Sequence, residues 1–329
     1  MMFGPLQPLV SDSKLTDIAV TCEGRVWVDR GEGMREYHPA IPFRSPQVVR
    51  QYASQLCSQL GRRLDEACPI ADASSSEGIR VHAVIAPLVP EGAAISIRFP
   101  SRFVPRLSGL GAEGLFPTSW FSVLCGLVRK RATILITGGT GSGKTTLMKA
   151  LLDQCDPNER IVSVEEVREL GDLKRGDYVS LVAREANVEG AGAVGLPELV
   201  KATLRMRPDR IVLGECRGEE IADLLRAFNS GHHGGMVTLH ADNVARVPSR
   251  LVALGLLAGL DRQALMMLAA NAFDVVLHLE RIEGKRHIVQ IGRLVVAHDE
   301  FVGVPIATWN GREGAVPGPM WGQFVRQWT

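Results

Sequence analysis

Gly138-Gly139-Thr140-Gly141-Ser142-Gly143-Lys144-Thr145 reads G-x-x-x-x-G-K-[ST], with the apolar run Thr133–Ile136 before it and the helix-forming stretch Thr146–Leu152 after it. Strand, glycine-rich loop and helix, in that order, form the setting a phosphate-binding P-loop requires. The glycines let backbone N–H groups approach phosphate oxygens with no Cβ in the way. A helix that begins near Gly143 turns its positive end toward the same anion. Lys144 supplies a point charge for the β- and γ-phosphates, and the Thr145 hydroxyl can hold Mg2+. The pattern therefore predicts a nucleoside triphosphate on Gly139–Thr146.

At 329 residues the chain is long for a single core, so two domains are expected. With 46% hydrophobic and 22% charged residues, its composition is that of a soluble globular protein. A formal net charge of +1 gives no electrostatic case for nucleic acid as an obligate partner. The six cysteines (Cys22, Cys57, Cys68, Cys125, Cys155, Cys216) form no C-x-x-C pair, which argues against a disulfide framework or zinc site and for reduced thiols in a cytosol. Met1–Val10 lacks the flanks of a signal peptide, and the best apolar run, Leu251–Leu260, is shorter than the roughly 18–20 residues a transmembrane segment needs.

Residues 1–104 read as a small α+β domain. Asp17–Cys22 and Arg25–Asp29 alternate around Glu23-Gly24 as a hairpin, and Pro46 opens a helix to about Leu60. Ala71–Gly78 reads as a Ser-rich loop, and Arg80–Ile85 and Ala94–Phe99 as strands. The prolines and glycines of residues 105–114 suggest a linker. Residues 115–297 then alternate helices with β-rich runs, the signature of a parallel sheet. Residues 298–329 carry no assignable pattern.

Three groups outside the P-loop bear on hydrolysis. Val162–Glu169 is an apolar strand running into Glu165, Glu166 and Glu169; at a strand's C-terminal end such acids can order Mg2+ waters or polarise an attacking water, or be no more than a solvated loop. Ile211–Glu215 resembles a Walker B strand in which Gly214 takes the usual aspartate position and Glu215 must serve. Gly231–Gly235 carries His232 and His233, and His240 closes the strand that follows; a histidine there can sense a γ-phosphate or be a hydrogen-bonded structural residue.

Together these segments resemble the type II/IV secretion-system ATPase superfamily, and within it most closely the CpaF/TadA branch that powers Flp (tight-adherence) pilus assembly. The telling stretches are Gly61–Glu66, Arg160–Glu169, Asn187-Val188-Glu189-Gly190, Arg205–Gly218, Gly231–Asn243 and Ser249-Arg250-Leu251. The resemblance implies an α/β architecture with a RecA-like P-loop NTPase domain and a smaller N-terminal α+β domain that closes over the nucleotide. It also implies a homo-hexamer, cytoplasmic and peripheral to the membrane, working on a platform protein of a pilus or secretion system. By the same resemblance Glu215 is the Walker B acid and a Mg2+ ligand with Thr145, Glu165, Glu166 and Glu169 are the acidic box, and His240 is the His-box histidine. Arg184, Arg80 and Arg98 fall on positions whose arginines approach the phosphates, although an arginine at each can equally be a surface ion pair. The chain departs from the family at Glu166, where Asp is common, at Ser180, often Arg, and at His233, which replaces an acid. It also begins almost directly at the N-domain, so docking through a preceding helical extension does not carry over.

Two rival readings stand beside the ATP-driven motor. A DNA-coupled conjugation ATPase shares the fold but would favour a basic, aromatic-lined stripe. A nucleotide-gated scaffold with little hydrolysis is suggested by the missing Walker B aspartate.

Overall fold

The computed structural model describes residues 3–100, 103–184, 186 and 191–329. The quoted stretch Asn187–Gly190 lies outside the described residues. The chain divides into two compact units, the first formed by Met1–Phe103 with Val167–Gly171 and Ala186–Gly192, the second by Val104–Glu166, Asp172–Glu185 and Ala193–Thr329.

The first unit is an antiparallel sheet of six strands in the order β3-β2-β1-β6-β5-β4. These are β1 Asp17–Val20, β2 Val26–Asp29, β3 Arg35–Tyr37, β4 Ile70–Ser74, β5 Arg80–Ile85 and β6 Ala93–Arg98. Strict alternation puts Val81, Ala83 and Ile85 with Ala93, Ile95 and Ile97 on one buried face. The helix Pro46–Gln59 joins that core through Val49, Ala53, Leu56 and Cys57, and starts where the Ser45 side chain accepts from the Val48 N–H ahead of Pro46. Ala71–Gly78, read as a loop, is a strand over its first half. Its buried residues are the small Ala71 and Ala73, which fill the pleat without an apolar signature. Arg80 and Arg98 are direct cross-strand neighbours on β5 and β6.

The second unit holds a sheet of nine strands, β15-β14-β13-β12-β7-β11-β10-β8-β9. The strands are β7 Ile134–Gly138, β8 Ile161–Glu165, β9 Tyr178–Val182, β10 Arg210–Cys216, β11 Met236–Leu239, β12 Val275–Ile282, β13 Lys285–Ala297, β14 Glu300–Thr308 and β15 Val316–Pro317. From β12 through β7, β11, β10 and β8 to β9 every pairing is parallel; β12 to β15 continue antiparallel. Strands β7, β8 and β11 are buried at every residue, as a parallel sheet covered on both faces requires. The helices Glu220–Asn229, Val247–Leu257 and Arg262–Ala272 contribute to the core over one face.

Residues 105–114, read as a linker, contain the helix Leu107–Ala112, whose Leu107 is buried. The unassigned tail is ordered: β14 lengthens the sheet, and the helix Trp321–Trp328 packs on the helix Phe121–Arg129.

Candidate functional site

Parallel register brings the candidate groups to one edge of the second sheet. Thr137 of β7 stands opposite Leu239 of β11, and Leu239 opposite Cys216 of β10. The residues that leave these strands at their C-terminal ends, Gly138, His240 and Glu215, therefore share the edge where open α/β sheets take ligands.

The loop after β7 has the shape of an anion cradle. Gly138 has φ +149°, and a Cβ there would lie 2.4 Å from the Leu279 carbonyl oxygen and 2.6 Å from Ser142 Oγ. At Gly139 and Gly141 a Cβ would meet nothing within 4 Å, so the loop's outer side is open. Lys144 Nζ donates to the carbonyls of Gly138 (2.9 Å) and Gly139 (2.8 Å), curling the loop around its own lysine. Arg286 Nε donates to the Gly141 carbonyl at 3.1 Å, a support that no sequence motif signals. The helix Lys144–Asp153 begins directly on the loop and directs its unpaired N–H groups there. Ser142 Oγ is buried with no hydrogen-bond partner among the described residues. Thr140 is exposed, and Thr145 and Thr146 are half-buried at the helix start.

Strand β10 shows why Glu215 takes the place of an aspartate. Its pairing with β11 slips between Leu213 and Cys216, where two residues face one, and Thr238 Oγ1 donates to the Gly214 carbonyl at 2.5 Å. Such a bulge re-aims the next side chain. A Cβ on Gly214 would come 3.0 Å from Cγ of Glu165, which is buried at the end of β8. The carboxylate thus moves one residue on, to the bulged position.

At that position Glu215 Oε2 accepts from Arg217 Nη2 at 2.7 Å, and Glu215 Oε1 lies 2.9 Å from His240 Nε2. Arg217 also donates through Nη1 to Glu166 Oε2 at 2.8 Å. A row of Glu166, Arg217, Glu215 and His240 results. Arg217 was not singled out in the sequence, although it lies two residues beyond Glu215 in the quoted stretch Arg205–Gly218. Burial, then the Lys144 ammonium, holds His240 below the ordinary histidine range, so its imidazole is neutral near pH 7.

The other candidates are distributed differently. His232 and His233 precede β11, at the opposite edge of the sheet from His240, so the three histidines do not form one group. Glu169 clusters with the first unit, where its Oε1 accepts from Arg80 Nη2 at 2.5 Å. Arg98 is exposed beside Arg80. Arg184 pairs through its backbone with Val194, and its residue is exposed. The acidic box is therefore divided, with Glu165 and Glu166 in the second unit and Glu169 in the first.

The donor set near the loop consists of hydroxyl and carboxylate oxygens from Thr145 and Glu215, which suits Mg2+, an ion that prefers one or two protein oxygens and substrate phosphates. The open cradle, the buried lysine and the helix N-terminus suit a polyphosphate.

Residues 2–294 match the family described as Type II/IV secretion system protein. A putative conjugal transfer protein of Mycobacterium tuberculosis is 42% identical over 318 residues, spanning 94% of this chain and 89% of its own. The type IV secretion system protein PtlH of Bordetella pertussis is 32% identical over 315 residues, with 87% and 92% covered. Among solved structures, the Legionella pneumophila ATPase DotB has a TM-score of 0.57 at 19% identity over 92% of this chain and 78% of that one. The pilus retraction motor PilT, solved with ADP, has a TM-score of 0.56 at 17% identity over 98% and 85%. The fold is that of these two-domain RecA-like ATPases, and the chain belongs to the type II/IV secretion system protein family.

Proposed function

We propose that this chain is an ATP-hydrolysing motor of a type II/IV secretion or conjugal-transfer apparatus. The observation that carries the reading is the run of Lys144, Glu215, His240 and Arg217 along one sheet edge beside an open phosphate cradle.

In this reading the backbone N–H groups of Gly139–Thr146 and the Lys144 ammonium hold the β- and γ-phosphates. Thr145 and Glu215 would hold Mg2+, which would supply positive charge against that of the phosphates. Carboxylates at the edge orient a water for in-line attack on the γ-phosphorus. The bond to the β–γ bridging oxygen breaks, and a carboxylate takes the water's proton. Glu166, joined through Arg217 to Glu215, is the candidate in the ATPase domain, with Glu165 buried at the end of β8. Glu169 joins when the N-terminal domain, residues 1–104, closes over the nucleotide and brings Arg80 and Arg98; with Arg184 of the ATPase domain they add positive charge where the transition state develops it.

The motor reading extends to a homo-hexamer that moves a cytoplasmic segment of a membrane platform protein. Among the described residues no helix is long and apolar enough to cross a membrane. The relatives named for conjugal transfer and type IV secretion favour those settings. The motif resemblance to the CpaF/TadA branch favours the narrower setting of Flp pilus assembly.

Phosphate release from the purified chain, with Glu215→Gln and Lys144→Ala as controls, tests the reading. Turnover by the wild type that drops at least about a hundredfold in both variants is expected. A wild type that binds ATP without turnover would leave only a nucleotide-gated scaffold. Stimulation by single-stranded DNA, measured in the same assay, would point to a DNA-coupled motor instead.

A further inference from the structure

A cavity of about 550 Å³ opens beside the P-loop within the second unit, lined by Gly139, His240, Asp242, Arg246, Ser249 and Arg250 among others. Arg246 directly precedes the helix Val247–Leu257 and Arg250 lies in its first turn, both on its exposed side. Their placement is electrostatically unfavourable. Cations at a helix N-terminus oppose the positive end of its dipole, and like charges four residues apart on one face repel. Among the described residues neither guanidinium forms an ion pair, although Asp242 lines the same cavity. Arginines placed against the helix dipole, against each other and around a cavity give that cavity a positive wall suited to an anion.

We propose that this cavity is a binding site for inorganic phosphate, and that Arg246 and Arg250 hold the phosphate cleaved from the nucleotide before it leaves the protein. The assignment rests on the P-loop taking ATP. Gly139 belongs both to the phosphate cradle and to the cavity wall, so the two adjoin. Planar guanidinium groups match the oxygens of a tetrahedral anion through paired, charge-assisted hydrogen bonds. Asp242 adds selectivity. Its carboxylate can accept from the hydroxyl of HPO4 2− but would face an unprotonated oxygen of sulfate.

The test is titration of inorganic phosphate, and separately of sulfate, into the full ADP-loaded chain by calorimetry, for wild type, Arg250→Ala, Arg246→Ala and Arg250→Lys. Affinity for phosphate should fall at least about tenfold in each alanine variant, less in the lysine variant, with ADP affinity within twofold of wild type. Sulfate should bind wild type at least about tenfold more weakly than phosphate. Phosphate affinity unchanged in both alanine variants, or no phosphate binding by wild type, overturns the site; equal affinity for the two anions overturns phosphate as its ligand. Thermal melts of the variants show whether a loss reflects unfolding. Should the chain bind neither ADP nor ATP, the motor reading fails, and the same titrations on nucleotide-free protein still decide the cavity.

Discussion

His240 Nε2 and Glu215 Oε1 lie 2.9 Å apart although their residues leave different strands, β11 and β10. The contact exists because β10 carries one extra residue at Gly214-Glu215, which turns the glutamate toward the neighbouring strand's end. With the histidine neutral, its ring nitrogen stands within reach of one of the two carboxylate oxygens, while Arg217 donates to the other. Glutamine at 240 keeps a donor for Glu215 and alanine does not. On the proposed hydrolysis, His240→Ala should slow phosphate release roughly tenfold or more, and His240→Gln should recover part of that loss. Equal rates in the two variants would mean that the contact does not orient Glu215.

Neighbouring glycines of the loop should behave oppositely. Alanine at 138 would set its Cβ against the Leu279 carbonyl and Ser142 Oγ while holding an unfavourable φ of +149°. Strain of this kind costs on the order of 1–3 kcal/mol, so Gly138→Ala should lower the unfolding free energy measured in urea by that amount. Gly139 has open space where its Cβ would be. Gly139→Ala should therefore leave stability within about 0.5 kcal/mol yet weaken ATP binding, because the added methyl occupies the side offered to phosphate. Equal stability of the two variants in denaturant would refute the contrast.

The C-terminal helix makes a separate stability prediction. Trp120, Trp321, Phe324 and Trp328 form a chain of ring contacts with centroid separations of 6.0 to 6.3 Å. Arg129 and Lys130 donate to the carbonyls of Thr329 and Gln327 at 2.9 Å. Phe324→Ala should cost roughly 3–5 kcal/mol, as for other buried aromatics. A change below about 1 kcal/mol in chemical denaturation would show that the tail is not part of the second unit's core.

What could be read in advance follows the physics of each element. Strands β7, β8 and β10 announce themselves because burial on both faces demands continuous apolar runs, and the P-loop's glycines and lysine have few alternative uses. Strand β4 escapes a sequence reading because its inward residues are alanines, and the tail because Gly303 and Pro305 interrupt the pattern of β14 and its helix is aromatic and Gly-containing. Gly214 is the instructive position. In the sequence it looks like a missing acid, whereas in three dimensions it is the space that Glu165 needs, with the acid shifted to Glu215 by a bulge. Arg217 and the Arg246–Arg250 pair were beyond sequence reasoning because their meaning comes from strands and helices distant in the chain.

Acid should destabilise the protein through its histidines. His232, His240 and His278 all titrate below the ordinary value, in each case chiefly because burial disfavours the imidazolium. His278 is the most enclosed, with Nδ1 2.9 Å from Thr137 Oγ1 and Nε2 3.3 Å from Glu280 Oε1. In the unfolded chain a histidine takes up its proton near pH 6.5. Between that pH and the lower native values the unfolded state binds more protons, so stability rises with pH through this window and levels off above it. Melting temperature should thus hold steady from pH 8 to about 7 and fall as the pH drops below about 6.5. His278→Gln, which keeps hydrogen-bonding capacity without a titrating group, should shallow that fall. A melting temperature that rises on acidification from pH 7 to 6, or a His278→Gln profile parallel to wild type, would contradict the assignment of buried neutral imidazoles.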